Sequence, residues 1–102
     1  MKGKRVWVSG PITGRDEQEC RQHFAEAVAL LEAEGHTVFD PWDAWDEYGP
    51  LDYDKIMKID LAIMESCEAI FMLNGWEDSP GARREKGRAE WHDLEVLYEA
   101  LV

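Results

Sequence analysis

Apolar and polar positions along this chain follow two alternating rhythms. Short β-branched or aromatic runs occur at Arg5 to Ser9, Thr37 to Phe39, Ala69 to Leu73 and Leu94 to Tyr98. Between them, apolar residues recur three and four positions apart, the spacing of helices with one buried face. The first such stretch, about Asp16 to Glu34, puts Cys20, Phe24, Ala27 and Leu31 on one stripe with Val28 beside it, and Gly35 is placed to end it as a C′ glycine. The second, about Tyr53 to Ser66, carries Ile56, Met57, Leu61, Ile63 and Met64 at helical spacing, and the third covers about Gly81 to His92. Strands alternating with helices predict parallel βαβ units with right-handed crossovers. The expected fold is a small doubly wound α/β sandwich of three layers, with a parallel sheet of four to five strands. The run Ala69-Ile70-Phe71-Met72-Leu73 is apolar throughout, which suits a sheet covered on both faces. Asp40 to Asp52, with Pro41, Gly49 and Pro50 among Trp42, Trp45 and Tyr48, reads as a long irregular loop. Such a loop is either a lid or stacking wall over a ligand, or packing over a hydrophobic edge.

The length of 102 residues predicts one domain, spanning 1–102, and one core. A composition 45% apolar and 11% aromatic excludes a disordered tail. No apolar run approaches the roughly 20 residues that span a bilayer. The basic start Met1-Lys2-Gly3-Lys4-Arg5 leads into a short strand and a Gly/Pro turn, not a signal-peptide apolar segment. These features predict a soluble, cytoplasmic protein with no membrane partner. The net charge of −11 argues against holding a nucleic-acid polymer, whose phosphates need a basic surface. It leaves open a small nucleoside or nucleotide, which needs only one local site. Cys20 and Cys67 both fall on apolar helix faces and read as buried free thiols. Cys20-x-x-His23 could supply two metal ligands, but no second pair has metal-like spacing, so neither metal nor cofactor is expected.

Ligands of doubly wound folds bind beyond the carboxyl ends of the strands. Arriving there are Ser9-Gly10-Pro11-Ile12-Thr13-Gly14, Asp40-Pro41, Asn74-Gly75-Trp76 and the Ser79–Gly81 turn, all supplying glycines, amides, aromatics or a carboxylate. The run from Ser79 to Ala89 is the most informative. Within its helix, Glu85 shares a face with Ala82 and Ala89, three before and four after. A small-residue face packs toward a sheet, so a carboxylate there is a candidate nucleophile or acid/base. The alternative is an exposed glutamate beside Lys86 and Arg88. The Ser9–Gly14 turn could cradle a sugar hydroxyl or a phosphate, or be a plain tight turn; it holds neither G-x-G-x-x-G nor Gly-Lys-Ser/Thr. Asp60 interrupts the stripe formed by Ile56, Ile63 and Met64, which is costly for a lone acid unless it is paired or functional. Pairing with Lys58, or an exposed stripe edge, are the other readings.

Val8-Ser9-Gly10-Pro11-Ile12-Thr13-Gly14, Asp60-Leu61 before an apolar strand, Gly75-Trp76-Glu77 and Ser79-x-Gly81-x-x-x-Glu85-x-Gly87-x-Ala89 together resemble the nucleoside 2-deoxyribosyltransferase superfamily. The branch it most resembles is the small-domain family DUF4406, related to 2′-deoxynucleoside 5′-phosphate N-hydrolases. The resemblance covers most of the chain in the same order. It implies a flavodoxin-like (Rossmann-like) fold and cleavage of an N-glycosidic bond, with Glu85 forming a glycosyl-enzyme and Asp60 assisting at the sugar and leaving-base end. It further implies that Ser79 and Gly81 hold the 5′ end of the substrate and that Gly10, Ile12 and Gly14 line the other side. Hydrolase and transferase outcomes both fit, and the family's habit of completing its site with a neighbouring subunit implies a homo-oligomer, with Leu94 to Val102 as an interface element. Phosphate-selective relatives place Ser and Arg where this chain has Pro11 and Thr13, so Arg15, Arg83 or Arg84 would have to hold any 5′-phosphate. The residues alone also leave open a binding module without turnover, or an assembly protein with a vestigial pocket.

Overall fold

A computed structural model describes residues 3–12, 14–48 and 53–99. The elements in chain order are β1 (Arg5–Ser9), α1 (Glu17–Ala33), β2 (Thr37–Phe39), α2 (Pro41–Tyr48), α3 (Tyr53–Glu65), β3 (Ala69–Met72), a 3-10 turn (Trp76–Asp78), α4 (Pro80–Trp91) and β4 (Glu95–Tyr98). The four strands form one parallel sheet in the order β2-β1-β3-β4. Among the described residues this is the order of the first four strands of a flavodoxin-like sheet, and the expected α/β sandwich stands.

Alternation along β1 and β3 sends side chains to opposite faces, and both faces are covered. Val6, Val8, Ala69, Phe71 and Leu73 pack against Cys20, Phe24, Ala27 and Leu31 of α1. Trp7, Ile70 and Met72 pack against Met64 of α3 and Ala82 and Ala89 of α4. The apolar stripes read from helical spacing are therefore the inner faces of the two outer layers. Each helix start has a local cause. Asp16 caps α1 by accepting from Glu19 N at 3.0 Å, and Ser79 caps α4 by accepting from Ala82 N at 3.2 Å, with Pro80 in the first turn. Gly35, at φ 94°, follows the α1 cap residue as expected.

One element departs from the sequence expectation. Asp40 to Asp52 is not irregular over most of its length: Pro41–Tyr48 is helix α2. The signal was an N-cap followed by proline, since Asp40 Oδ1 accepts from Trp42 N (3.0 Å) and Asp43 N (3.1 Å). Gly49, Pro50 and Asp52 of that stretch, like Thr13 and residues 100–102 of the expected interface segment, lie outside the described residues. Cys20 and Cys67 are buried free thiols, as read. Among the described residues, no helix is long and apolar enough to cross a membrane.

Candidate active site

From the central strand β1 the chain runs to β2 on one side and, later, to β3 on the other. The carboxyl ends of strands open a crevice at such a switch point. There, the last residue of β1 meets α4. Ser9, with no exposed surface, donates its hydroxyl proton to Glu85 Oε1 at 2.5 Å. Glu85 is 5% exposed and shares its buried helix face with Ala82 and Ala89, as the spacing predicts. Its neighbours are small because α4 lies close on the sheet, and that closeness brings the carboxylate within reach of β1.

Glu85 forms part of the wall of a cleft of about 720 Å³. Gly10 and Ile12 line it from the β1–α1 loop, Ser79, Pro80, Gly81 and Ala82 from the start of α4, and Ile56, Met57 and Asp60 from α3. Pro41, Trp42 and Trp45 of α2 and Glu17 of α1 complete it. The aromatic segment is thus a wall of the cleft, although a helical one. Trp42 is held in place from two sides, edge-on against Phe24 (centroids 6.3 Å apart, planes at 85°) and under the Arg21 guanidinium at 4.2 Å. Arg21 also forms a two-pronged ion pair with Asp46 at 3.0 and 2.8 Å, tying α1 to α2.

The acids of the cleft are electrostatically unusual. Burial is the main reason that the Glu85 carboxyl is pushed up to about 7, opposed by the Ser9 hydrogen bond. The Trp7 indole, which has no well-aligned hydrogen-bond partner, acts weakly in the same direction as Ser9. Asp60 is 3% exposed and pushed up to about 8, first by burial, then by the charges of Glu85 and Asp40. Asp40 is itself raised, chiefly by burial. Asp60 has no ion-pair partner among the described residues, so the Lys58 alternative does not hold; Lys58 is exposed. Three buried side-chain polar atoms lack a partner within the described chain: Asp60 Oδ1, Trp42 Nε1 and Trp7 Nε1. Two belong to cleft-lining residues and the third neighbours Glu85. Buried polar groups are normally paired, and these exceptions gather at one place.

Several expected site residues sit elsewhere or act differently. Trp76 packs against Tyr98 at 6.2 Å and under Lys86 Nζ at 5.3 Å, away from the cleft lining. Pro11 turns its carbonyl to Cys20 Sγ and lines a separate polar recess of about 180 Å³ with Arg15 and His23. His23 is paired there with Glu99 at 2.8 Å. Gly14, at φ 80°, makes the turn and lies outside the lining. The Ser79 hydroxyl is taken up as the α4 cap. Asp40 caps α2 and reaches the site through its field on Asp60. Glu17, Met57 and Trp7 were not singled out by sequence as site residues. Trp7 is a bulky residue of the central strand, packed with Met64, Ile70 and Met72 and with its indole beside Glu85. Among the described residues, no group of three or more His, Cys, Asp or Glu is arranged to hold a metal ion.

Residues 4–98 match the model of a family described as a domain of unknown function, DUF4406, and the chain belongs to that family. None of the curated proteins matches. Among solved structures, the chain is similar to a 2-deoxyribosyltransferase from Bacillus psychrosaccharolyticus, with a TM-score of 0.71 and 19% identity over 96% of this chain and 77% of that one. It is similar to the CMP N-glycosidase BcmB of Clostridium botulinum, with a TM-score of 0.67 and 19% identity over 93% and 70% of the two chains. A 2-desoxiribosyltransferase from Leishmania mexicana gives 0.69 and 19% over 93% of this chain, which spans 63% of that protein. The DUF4406 chain therefore has the fold of the nucleoside deoxyribosyltransferases.

Proposed function

We propose that this protein cleaves or exchanges the N-glycosidic bond of a nucleoside, deoxynucleoside or nucleoside 5′-monophosphate through a covalent intermediate on Glu85. The observation that carries the reading is the pair of raised, buried carboxyls in one cleft, Glu85 held by Ser9 and Asp60 with an unpartnered oxygen. Two carboxyls displaced to different extents divide the roles of nucleophile and acid. Asp60 is raised further from its ordinary value than Glu85, so Glu85 gives up its proton at a lower pH than Asp60. A Glu85 oxygen attacks C1′, and the electron pair of the C1′–N bond leaves with the base. The Asp60 carboxyl proton moves to that base, so it departs neutral. Water, losing a proton to the Asp60 carboxylate, then attacks C1′ and releases Glu85; a second base in place of water gives exchange. This is the logic of a retaining glycosidase, with an oxocarbenium-like transition state. Trp42, Trp45, Ile56 and Met57 offer a wall on which a planar base can lie. The fold shared with a CMP N-glycosidase and two deoxyribosyltransferases supports the same chemistry.

The test is incubation with a panel of ribo- and deoxynucleosides and their 5′-monophosphates, with free base followed by chromatography. Release that falls at least 1,000-fold in Glu85→Gln, together with an intact-protein mass raised by one glycosyl group in a quenched wild-type reaction, supports the reading. Binding without release would instead make the cleft that of a ligand-binding module.

A further inference from the structure

We propose that the cleft selects a nucleoside with a free 5′-hydroxyl and rejects its 5′-monophosphate, an inference that rests on the glycosidic reading of the same site. Its first support is the sign of the charges. The ionisable residues lining the cleft are Glu17, Asp60 and Glu85, and no Lys, Arg or His lines it among the described residues. The three arginines that could have replaced the missing phosphate donors are not there. Arg15 lines the separate recess, and Arg83 and Arg84 are exposed on α4 outside the lining. Arg21, which lies over Trp42, is already shared between Asp46 and Glu17, the latter at 3.3 Å, so the three together remain net negative.

The second support is the state of the α4 N-terminus, where a phosphate would ordinarily find free N–H groups. Pro80 has no N–H. Ala82 N donates to the Ser79 hydroxyl and Arg83 N to the Ser79 carbonyl at 3.0 Å. In that turn only the Gly81 N–H has no partner among the described residues, enough for one hydroxyl and too few for a dianion that wants several charge-assisted donors. A hydroxyl group meets no such demand.

The third support is range. The three lining acids come one each from α1, α3 and α4, and a Debye length of about 8 Å at physiological ionic strength is comparable with the span of a cleft of about 720 Å³, so their fields are only partly screened within it. The net charge of −11 repels a dianion before it arrives, whereas a neutral nucleoside is indifferent to it. Glu17 is the lining acid that the proposed chemistry does not use, which makes it the place to reverse the preference.

The experiment compares kcat/KM for 2′-deoxyadenosine, 2′-deoxycytidine, 2′-deoxyguanosine and thymidine with that for their 5′-monophosphates, in wild type and Glu17→Gln. The wild type is expected to favour a nucleoside over its monophosphate by at least 100-fold. Glu17→Gln should shift the ratio of the two kcat/KM values about 3- to 10-fold toward the monophosphate, and an unchanged ratio would count against the inference. Calorimetric binding of the same pairs to Glu85→Gln separates recognition from turnover. If a nucleoside binds at least 30-fold more tightly than its monophosphate, the inference stands even where no base is released and the glycosidic reading has failed. Equal or tighter binding of the monophosphate, or binding of neither, overturns it while leaving base release to be judged independently.

Discussion

The Ser9 hydroxyl donates to the Glu85 carboxylate at 2.5 Å, joining the end of the central strand to the middle of α4 across the floor of the cleft. Among the described residues Ser9 is the one well-aligned hydrogen-bonding partner of that buried acid, and it opposes the burial that keeps Glu85 protonated. Ser9→Ala should therefore raise the Glu85 pKa further above about 7. The proposed chemistry requires Glu85 ionised and Asp60 protonated, so on that reading kcat/KM should be bell-shaped with its optimum between pH 7 and 8, the two limbs belonging to the coupled pair. In Ser9→Ala the acid limb moves to higher pH and the maximum falls about 10- to 100-fold. A pH profile of base release checks both features, and an unmoved acid limb would count against this role for Ser9.

Asp60 sets a second, independent expectation for stability. Its carboxyl is raised from 3.8 to about 8, so the folded state binds the extra proton across that window and the unfolded state does not. By linkage, stability falls as pH rises from about 4 through 8, the reverse of ordinary acid denaturation. Asp60→Asn cannot ionise and should gain relative to wild type at pH 8 by about 2–4 kcal/mol, with a difference below about 1 kcal/mol at pH 4.5. Urea titrations at the two pH values measure this. The same variant should lose most base release, because an amide donates no proton to the leaving base.

Much of this geometry can be read along the chain, and the remainder has identifiable causes. Glu85 is legible because Ala82 and Ala89 mark its face as buried, and Asp60 because it interrupts an otherwise apolar stripe. Periodicity reports which way a side chain points within its own element. It does not report which residue of another element it meets. Ser9 pairing with Glu85, Trp7 neighbouring it and Glu17 entering the cleft from α1 are contacts between elements and leave no periodic trace. Trp76 was placed in the cleft because it follows β3, yet the 3-10 turn rotates it onto Tyr98. Helix α2 reads as a loop in the sequence because Gly49 and Pro50 follow its aromatics closely, while Asp40-Pro41 is a helix start of ordinary kind.

Arg21 braces the aromatic wall without lining the cleft, lying over Trp42 and holding Asp46 with two hydrogen bonds. Arg21→Ala should loosen α2 against α1 and raise KM about 5- to 20-fold with kcat changed less than 3-fold, the pattern of lost binding common to ground and transition states. Trp45→Ala should act in the same direction, because Trp45 is 39% exposed and contributes to the wall more than to the core. Steady-state kinetics of both variants test this, and a fall in kcat with unchanged KM would place the wall in the chemistry instead.

Gly10 joins the sheet to the site and is the residue where the two impose conflicting demands. It follows Ser9, lines the cleft, and backs onto Leu73 at the end of β3. A Cβ at Gly10 would lie 2.8 Å from the Leu73 Cβ and 3.1 Å from its Cγ, and a contact with the root of a side chain cannot be relieved by rotating its tip. Gly10→Ala must therefore push β1 and β3 apart at their carboxyl ends, at a cost of about 1–3 kcal/mol as overpacking usually does. The same displacement carries Ser9 with it, so the hydroxyl that holds Glu85 moves by a few tenths of an ångström. Positioning errors of that size are felt in rate as well as in stability. The expected outcome is a lower urea midpoint together with a kcat reduced about 10-fold or more. Gly10→Ala combined with Leu73→Gly removes the opposing Cβ with the rest of the side chain and should recover part of the rate even though the core loses a buried leucine. Rate recovery without stability recovery distinguishes displacement of Ser9 from simple destabilisation, since a merely weakened fold would lose both further.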